Sequence, residues 1–215
     1  MTQALANEHP AARSARLPQW MIAVAAILAL LLVAAGAGYW FARPPAENSA
    51  EVSFARDMAA HHAQAVDMAL IIRDRSTNPE LRQLALDIVL TQQAQIGQMQ
   101  GWLNLWGRSI EGTAPPMGGH GEMMGMATQD QVAALRALPI DKAEVAFLQL
   151  MIRHHQGGVI MAQQMLPKTS NAAVLQLANA VIAAQQSEIK YMTDMLHHRG
   201  AEPLAPVQPM QMDGM

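Results

Sequence analysis

The sequence predicts an all-α protein: an antiparallel four-helix bundle made from two duplicated helical hairpins and preceded by one transmembrane helix. Three observations carry this expectation. Trp20 to Phe41 contains no charged side chain, Phe54 to Gly107 aligns with Phe147 to Gly200 without a gap, and apolar residues recur at steps of three and four in both aligned segments.

Composition narrows the function before any motif is considered. The chain has 215 residues, of which 51% are hydrophobic, 14% charged and 4% aromatic, enough apolar material to fold. Fourteen Lys and Arg against seventeen Asp and Glu leave no basic excess, so nucleic acid is not expected as a partner. Cysteine is absent, which removes thiolate metal sites, iron–sulfur clusters, disulfides and cysteine catalysis together. Methionine stands out, with 17 residues beside eight histidines.

Residues 1–19 read as a cytoplasmic N-terminus and 20–41 as a membrane segment, because at ~1.5 Å per residue the latter crosses a ~30 Å hydrocarbon layer. Arg13 and Arg16 precede it, whereas Arg43 is soon followed by Glu47 and Glu51, a bias that keeps the N-terminus inside and the rest outside. Ala35-Gly36-Ala37 resembles a small-residue cleavage site. Trp20, Tyr39, Trp40 and Phe41 instead look like interfacial anchors, and an uncleaved signal-anchor is the expectation. Residues 42–52, with Pro44-Pro45, form a short stiff linker.

The bundle is assigned to 53–200, with repeats at 53–107 and 146–200. At an offset of 93 the aligned 54 residues share 17 identities, among them Met58/Met151, His61/His154, His62/His155, Met68/Met161, Gln92/Gln185 and Met99/Met192. Ser76-Thr77-Asn78-Pro79 and Lys168-Thr169-Ser170-Asn171 break each repeat into two helices, with Asn or Thr placed to cap the second. The opening helices carry Phe54, Met58, His61, Ala65, Met68 and Ile72, and then Phe147, Met151, His154, Gly158, Met161 and Met165, a heptad-type seam. The second helices span about Glu80 to Trp106 and Ala172 to Arg199. Between the repeats lie a Met-, His- and Gly-rich linker, 108–127, and a short helix, Thr128 to Leu138, ended by Pro139. Residues 201–215 form a tail containing Met210, Met212 and Met215.

A histidine on a core seam is unusual, since an unpartnered imidazole loses hydration on burial. Helical spacing brings Met58, His61, His62 and Met68 to one face, and Met151, His154, His155 and Met161 to the other repeat's equivalent. Thioethers with imidazoles suit Cu(I), and by similarity Ag(I), better than hard oxygen-seeking cations. Counting outward from the turns places the histidine pairs level with Gln92–Gln93 and Gln185–Gln186, whose amides would bond the free ring nitrogens. A second account remains open at this level: His and Gln form a self-satisfied polar layer that sets register while the methionines fill the core. The linker residues Met117, His120, Met123, Met124 and Met126 are a further candidate site, flexible enough to close on a soft cation, and the tail methionines another. His197-His198 reads as favourable charge at a helix end.

At MAAHHAQAVDMA and MIRHHQGGVIMA, followed by the QQ-xx-I-xx-M pattern, the sequence resembles domain-of-unknown-function (DUF) family 305 over roughly Ser53 to Gly200. The resemblance implies a ferritin-like four-helix bundle exported from the cytoplasm and similar to periplasmic copper-binding proteins linked to copper resistance. It implicates the same two Met-His-His-Met sets, joined by Met99 and Met192. One departure stands out: Gln95 occupies the first repeat where Glu188 occupies the second, so the halves are expected to differ in charge and affinity.

The expected function is therefore a membrane-tethered, extracytoplasmic Cu(I) or Ag(I) binder serving copper tolerance or trafficking, with a copper transporter or chaperone as partner. A di-iron enzyme would need Glu-x-x-His on two helices, and none occurs on the four expected here. No Ser-His-Asp set, phosphate loop or acid pair stands out, so no enzymatic activity is expected. The alternative is a structural or signalling bundle of the cell envelope whose histidines sense pH or set register.

Overall fold

The computed structural model describes residues 18–207 apart from 42 and 114. Among them are six α-helices and no strand, and they fall into two compact units divided after Arg43. Arg13, Arg16, the tail methionines Met210, Met212 and Met215, and the side chains of Trp40 and Phe41 lie outside the described residues.

The first unit holds helix α1, Gln19–Phe41. Its 23 residues rise about 35 Å, enough to cross a hydrocarbon layer. Leu30, Leu31, Leu32 and Val33 are each at least 60% exposed, which water would penalise and lipid would not.

The second unit begins with α2, Ala50–Arg75, and α3, Pro79–Leu105, which pack against each other. Ser49 caps α2 by accepting from Val52 N at 3.3 Å, and Asn78 caps α3 by accepting from Leu81 N at 2.9 Å, with Pro79 preset for the first turn. Two 3₁₀ turns, at Pro116–Gly119 and Gly121–Met124, punctuate the linker. Helix α4, Gln129–Ala137, follows, opened by a capping box between Thr128 and Gln131. Helices α5, Ile140–Met165, and α6, Ala172–His197, pair as α2 and α3 do, and α2 also packs on α5.

A reciprocal exchange locks the two helical pairs together. Ser76, in the α2–α3 turn, donates its hydroxyl to Glu144 at the start of α5 (2.6 Å). Thr169, in the α5–α6 turn, donates to Glu51 at the start of α2 (2.8 Å). Each hydroxyl also accepts an amide, Asn78 N and Asn171 N respectively, at 3.0 Å. Hydrogen bonds to a charged acceptor contribute about 1.5–3 kcal/mol each. The exchange requires α2 and α5 to run antiparallel, so that they cross at their middles.

The core is accordingly in two halves. One contains Met68, Ile72, Leu84, Phe147, Met151 and Met192; the other contains Phe54, Met58, Met99, Leu103, Met161 and Leu177. Each half thus combines the start of one pair's opening helix with the end of the other's. Between them, on all four long helices, lie the buried polar residues His61, His62, Gln92, His154, His155 and Gln185.

The linker is packed down onto α5 at Gly157, where an added Cβ would fall 1.6 Å from the Met124 carbonyl oxygen. Gly157→Ala is expected to lift the linker and destabilise the fold by about 1–3 kcal/mol. Gly101→Ala, in open space on α3, should stabilise by about 0.5–1 kcal/mol. Equal denaturant midpoints for the two variants would contradict this packing.

Candidate metal-binding site

Four imidazoles meet where α2 and α5 cross, and none is accessible to solvent. The rings of His61 and His154 overlap, with centroids 3.7 Å apart and planes inclined by 34°. His62 and His155 flank this pair, their rings 6.2 and 6.3 Å from their neighbours'.

The outer nitrogens are anchored by acceptors. His62 Nε2 donates to Gln95 Oε1 and His155 Nε2 to Glu188 Oε2, both at 2.7 Å and both across 33 residues of sequence. His61 Nε2 donates to the Met124 carbonyl at 3.0 Å. Because those oxygens can only accept, each of these Nε2 atoms carries a proton. Burial pushes His61 down to about 4 and His62 down to about 3, and it carries His154 well below the ordinary histidine range, so these rings are neutral at pH 7. A neutral ring protonated on Nε2 has its lone pair on Nδ1.

The Nδ1 atoms of His61, His62 and His155 are buried and meet no protein hydrogen-bond partner. His154 lies against the His61 main chain with neither ring nitrogen in hydrogen-bonding geometry, and the amides of Gln92 and Gln185 are similarly unengaged. A buried polar group left without a partner costs about 1–3 kcal/mol, so a concentration of them at one level is expensive unless water or a cation meets them.

The expected glutamine contacts need correction. Gln92 and Gln185 do sit in the layer, but Gln93 and Gln186 are exposed, and the ring nitrogens bond instead to Gln95 and Glu188. Counting from the turn found the right level of the helices, but the side chains that bond the rings lie three residues beyond Gln92 and Gln185. The equal offset of 33 in both repeats was the available signal.

Methionines belong to both half-cores that flank the layer. Met58, Met99, Met151, Met192 and Met68 are fully buried, and Met161 is 9% exposed. Among the described residues no three His, Cys, Asp or Glu side chains converge to hold an ion. A metal held here would therefore have to draw on other groups as well, the buried thioethers or the Gln92 and Gln185 amide oxygens, and the thioethers suit a soft ion.

The linker set is divided. Met117 and Met124 are partly buried against the half-core that holds Met58 and Met99. His120 and Met123 face solvent, and the half-buried Met126 places its sulfur beside Gly121. His197, at the end of α6, pairs with Glu202 at 3.3 Å on the surface.

Residues 51–196 match the family model described as Domain of unknown function (DUF305). Among solved structures, a DUF305 protein from Streptomyces coelicolor is 44% identical, with a TM-score of 0.70 over 74% of this chain and 99% of that one. A DUF305 fragment from Deinococcus radiodurans is 42% identical, with a TM-score of 0.66 over 72% and 99%. CopM in its Cu(II)-bound form is 30% identical, with a TM-score of 0.60 over 69% and 96%; CopM has also been solved with Cu(I) and with Ag bound. No curated protein sequence matches the chain.

Neutral burial has a pH signature in the metal-free protein. Unfolded, His61 and His62 take up protons near 6.5; folded, they do so only near 4 and 3. Below 6.5 the unfolded state therefore holds more protons, so stability is full above that pH and is lost as pH falls. The slope should approach about 1.4 kcal/mol per pH unit for each such imidazole. Urea unfolding at a series of pH values from about 7.5 to about 4.5 reads it directly. A flat profile would show that the rings are not held neutral.

Proposed function

The chain belongs to the DUF305 family, and from that membership together with its buried imidazole layer we propose that it binds Cu(I), and equally Ag(I), for copper tolerance or trafficking outside the cytoplasm. The observation that carries the proposal is the unpartnered Nδ1 atoms of neutral, fully buried rings lying between two groups of methionine sulfurs.

In this reading the four long helices form an antiparallel four-helix bundle of ferritin-like type, made of two duplicated hairpins. His61, His62, His154 and His155 supply nitrogen, no more than two of them to any one ion, since no three converge among the described residues. Met58, Met99 and Met161 supply sulfur from one side, and Met68, Met151 and Met192 from the other. A monovalent soft cation accepts such neutral ligands without a compensating charge on each of them. Gln95, Glu188 and the Met124 carbonyl hold the rings from behind, so Nδ1 is the coordinating nitrogen. The similarity to CopM, whose structures hold Cu(I), Cu(II) and Ag, supports the metal class.

α1 serves as a single-pass anchor in the cytoplasmic membrane, with the N-terminus inside and the bundle in the periplasm or extracellular space. There the lack of cysteine is an advantage, since thioethers do not undergo the disulfide formation that removes thiolates in oxidising compartments. The protein binds and passes on its cargo, with a copper transporter or chaperone as partner, and carries no catalytic activity. The competing account, a structural or signalling bundle without metal, draws on the fact that Gln95 and Glu188 already satisfy one nitrogen of His62 and of His155.

Competition titration of the full chain in detergent, with Cu(I) against a chromophoric chelator, separates the two. Wild type should compete, His61→Gln/His154→Gln should not, and Glu188→Ala should bind about 10–100-fold more weakly through loss of the group that orients His155. Competition unchanged in all three would contradict the layer as the site. No competition by wild type would leave the structural account standing.

A further inference from the structure

The linker methionines divide between solvent and the core, and two of them help to enclose a pocket. An open pocket of about 590 Å³ lies between the middle and end of the linker, the start of α2 and the end of α5. Four methionines line it: Met117 and Met124 from the linker, and Met161 and Met165 from α5. Asp57, on α2, is the only carboxylate in its wall among the described residues. Met165 and Asp57 have no part in the imidazole layer.

We propose that this pocket is a second soft-cation site, an outer acquisition site for Cu(I) or Ag(I) that feeds the imidazole layer. This inference rests on the reading that the chain binds such cations. Several features converge on it.

The ligand set matches in type and charge. Four neutral thioethers and one carboxylate balance a single positive charge, while a divalent hard ion, which needs six or more oxygen ligands, would find only the Asp57 carboxylate with the Ser53 hydroxyl and the Gln164 amide among the side chains. Asp57 is also held in place, because its Oδ1 accepts the Met117 amide at 2.8 Å and so draws the linker methionine over the pocket. Lys168 is the opposing charge; it is exposed at the rim and its long stem lets the ammonium swing into water.

Position supplies the functional sense. Met161 belongs both to the pocket wall and to the half-core that contains Met58 and Met99, so its sulfur stands between outside and inside. Met124 lines the pocket with its side chain while its carbonyl receives the Nε2 proton of His61. An ion drawing on the Met124 thioether therefore acts on the residue that orients an inner-layer ring. An ion taken up by exposed sulfur can pass by ligand exchange from Met161 to Met58 without entering water.

The test uses the full chain in detergent, labelled with ¹³C at the methionine ε-methyl groups and titrated with silver nitrate. Each signal is assigned by a Met→Leu change, which conserves volume and keeps the fold. The ε-methyl signals of Met117 and Met165 should move with Ag(I), and Asp57→Asn, which keeps the acceptor for Met117, should weaken that response about tenfold. In Met117→Leu/Met165→Leu the Met58 and Met151 signals should still move at saturation, but loading should be slower. If Met58 and Met151 respond while Met117 and Met165 stay fixed, the outer site is overturned and the inner one stands. If no methionine responds, cation binding itself is overturned, and the outer site with it.

Discussion

Burying four imidazoles at one level of a helical core is the constraint on which the rest of this structure depends. Desolvation holds His61, His62 and His154 neutral, and neutrality leaves lone pairs that must face something other than hydrocarbon. Three outer nitrogens are tied to Gln95, Glu188 and the Met124 carbonyl. Those ties dictate where the linker runs, since a main-chain oxygen from residue 124 has to reach a ring on α2. They also dictate register: His61 and His154 overlap only if α2 and α5 cross at their centres, which the Ser76–Glu144 and Thr169–Glu51 bonds enforce from both ends.

The two repeats are equivalent in scaffold and different where they meet the linker. Gln64 reaches out and holds residue 127 by both its carbonyl (2.9 Å) and its amide (2.7 Å). Its counterpart is Gly157, where the side chain is gone and the Met124 carbonyl occupies the room. One position grips the linker and the other admits it. The same divergence sets Gln95 against Glu188, giving one outer histidine an amide acceptor and the other a carboxylate.

Much of this could be read from the sequence because periodicity and self-similarity report on helices directly. The long apolar helix, the pairing of α2 with α3 and α5 with α6, the Asn caps and the burial of the Met-His-His-Met residues all follow from spacing alone. What was not legible depends on rotation about a helix axis or on main-chain atoms. Gln92 was expected to bond a ring, and Gln95, one turn further on, does so. The Met124 carbonyl has no side-chain signature at all. Glu51 and Glu144 fall just outside the aligned repeats, so their exchange with the turn hydroxyls went unseen. The linker was expected to gather its methionines and His120; its 3₁₀ turns instead send Met117 and Met124 inward and His120 and Met123 outward.

The most direct measurement is a long-range ¹H–¹⁵N correlation of the histidine rings in the full chain at neutral pH, before and after Cu(I). His61 and His62 should appear as neutral rings protonated on Nε2, and the nitrogen that shifts with Cu(I) should be Nδ1. Rings protonated on Nδ1, or an Nδ1 signal indifferent to Cu(I), would contradict the assignment of this layer as a metal seat.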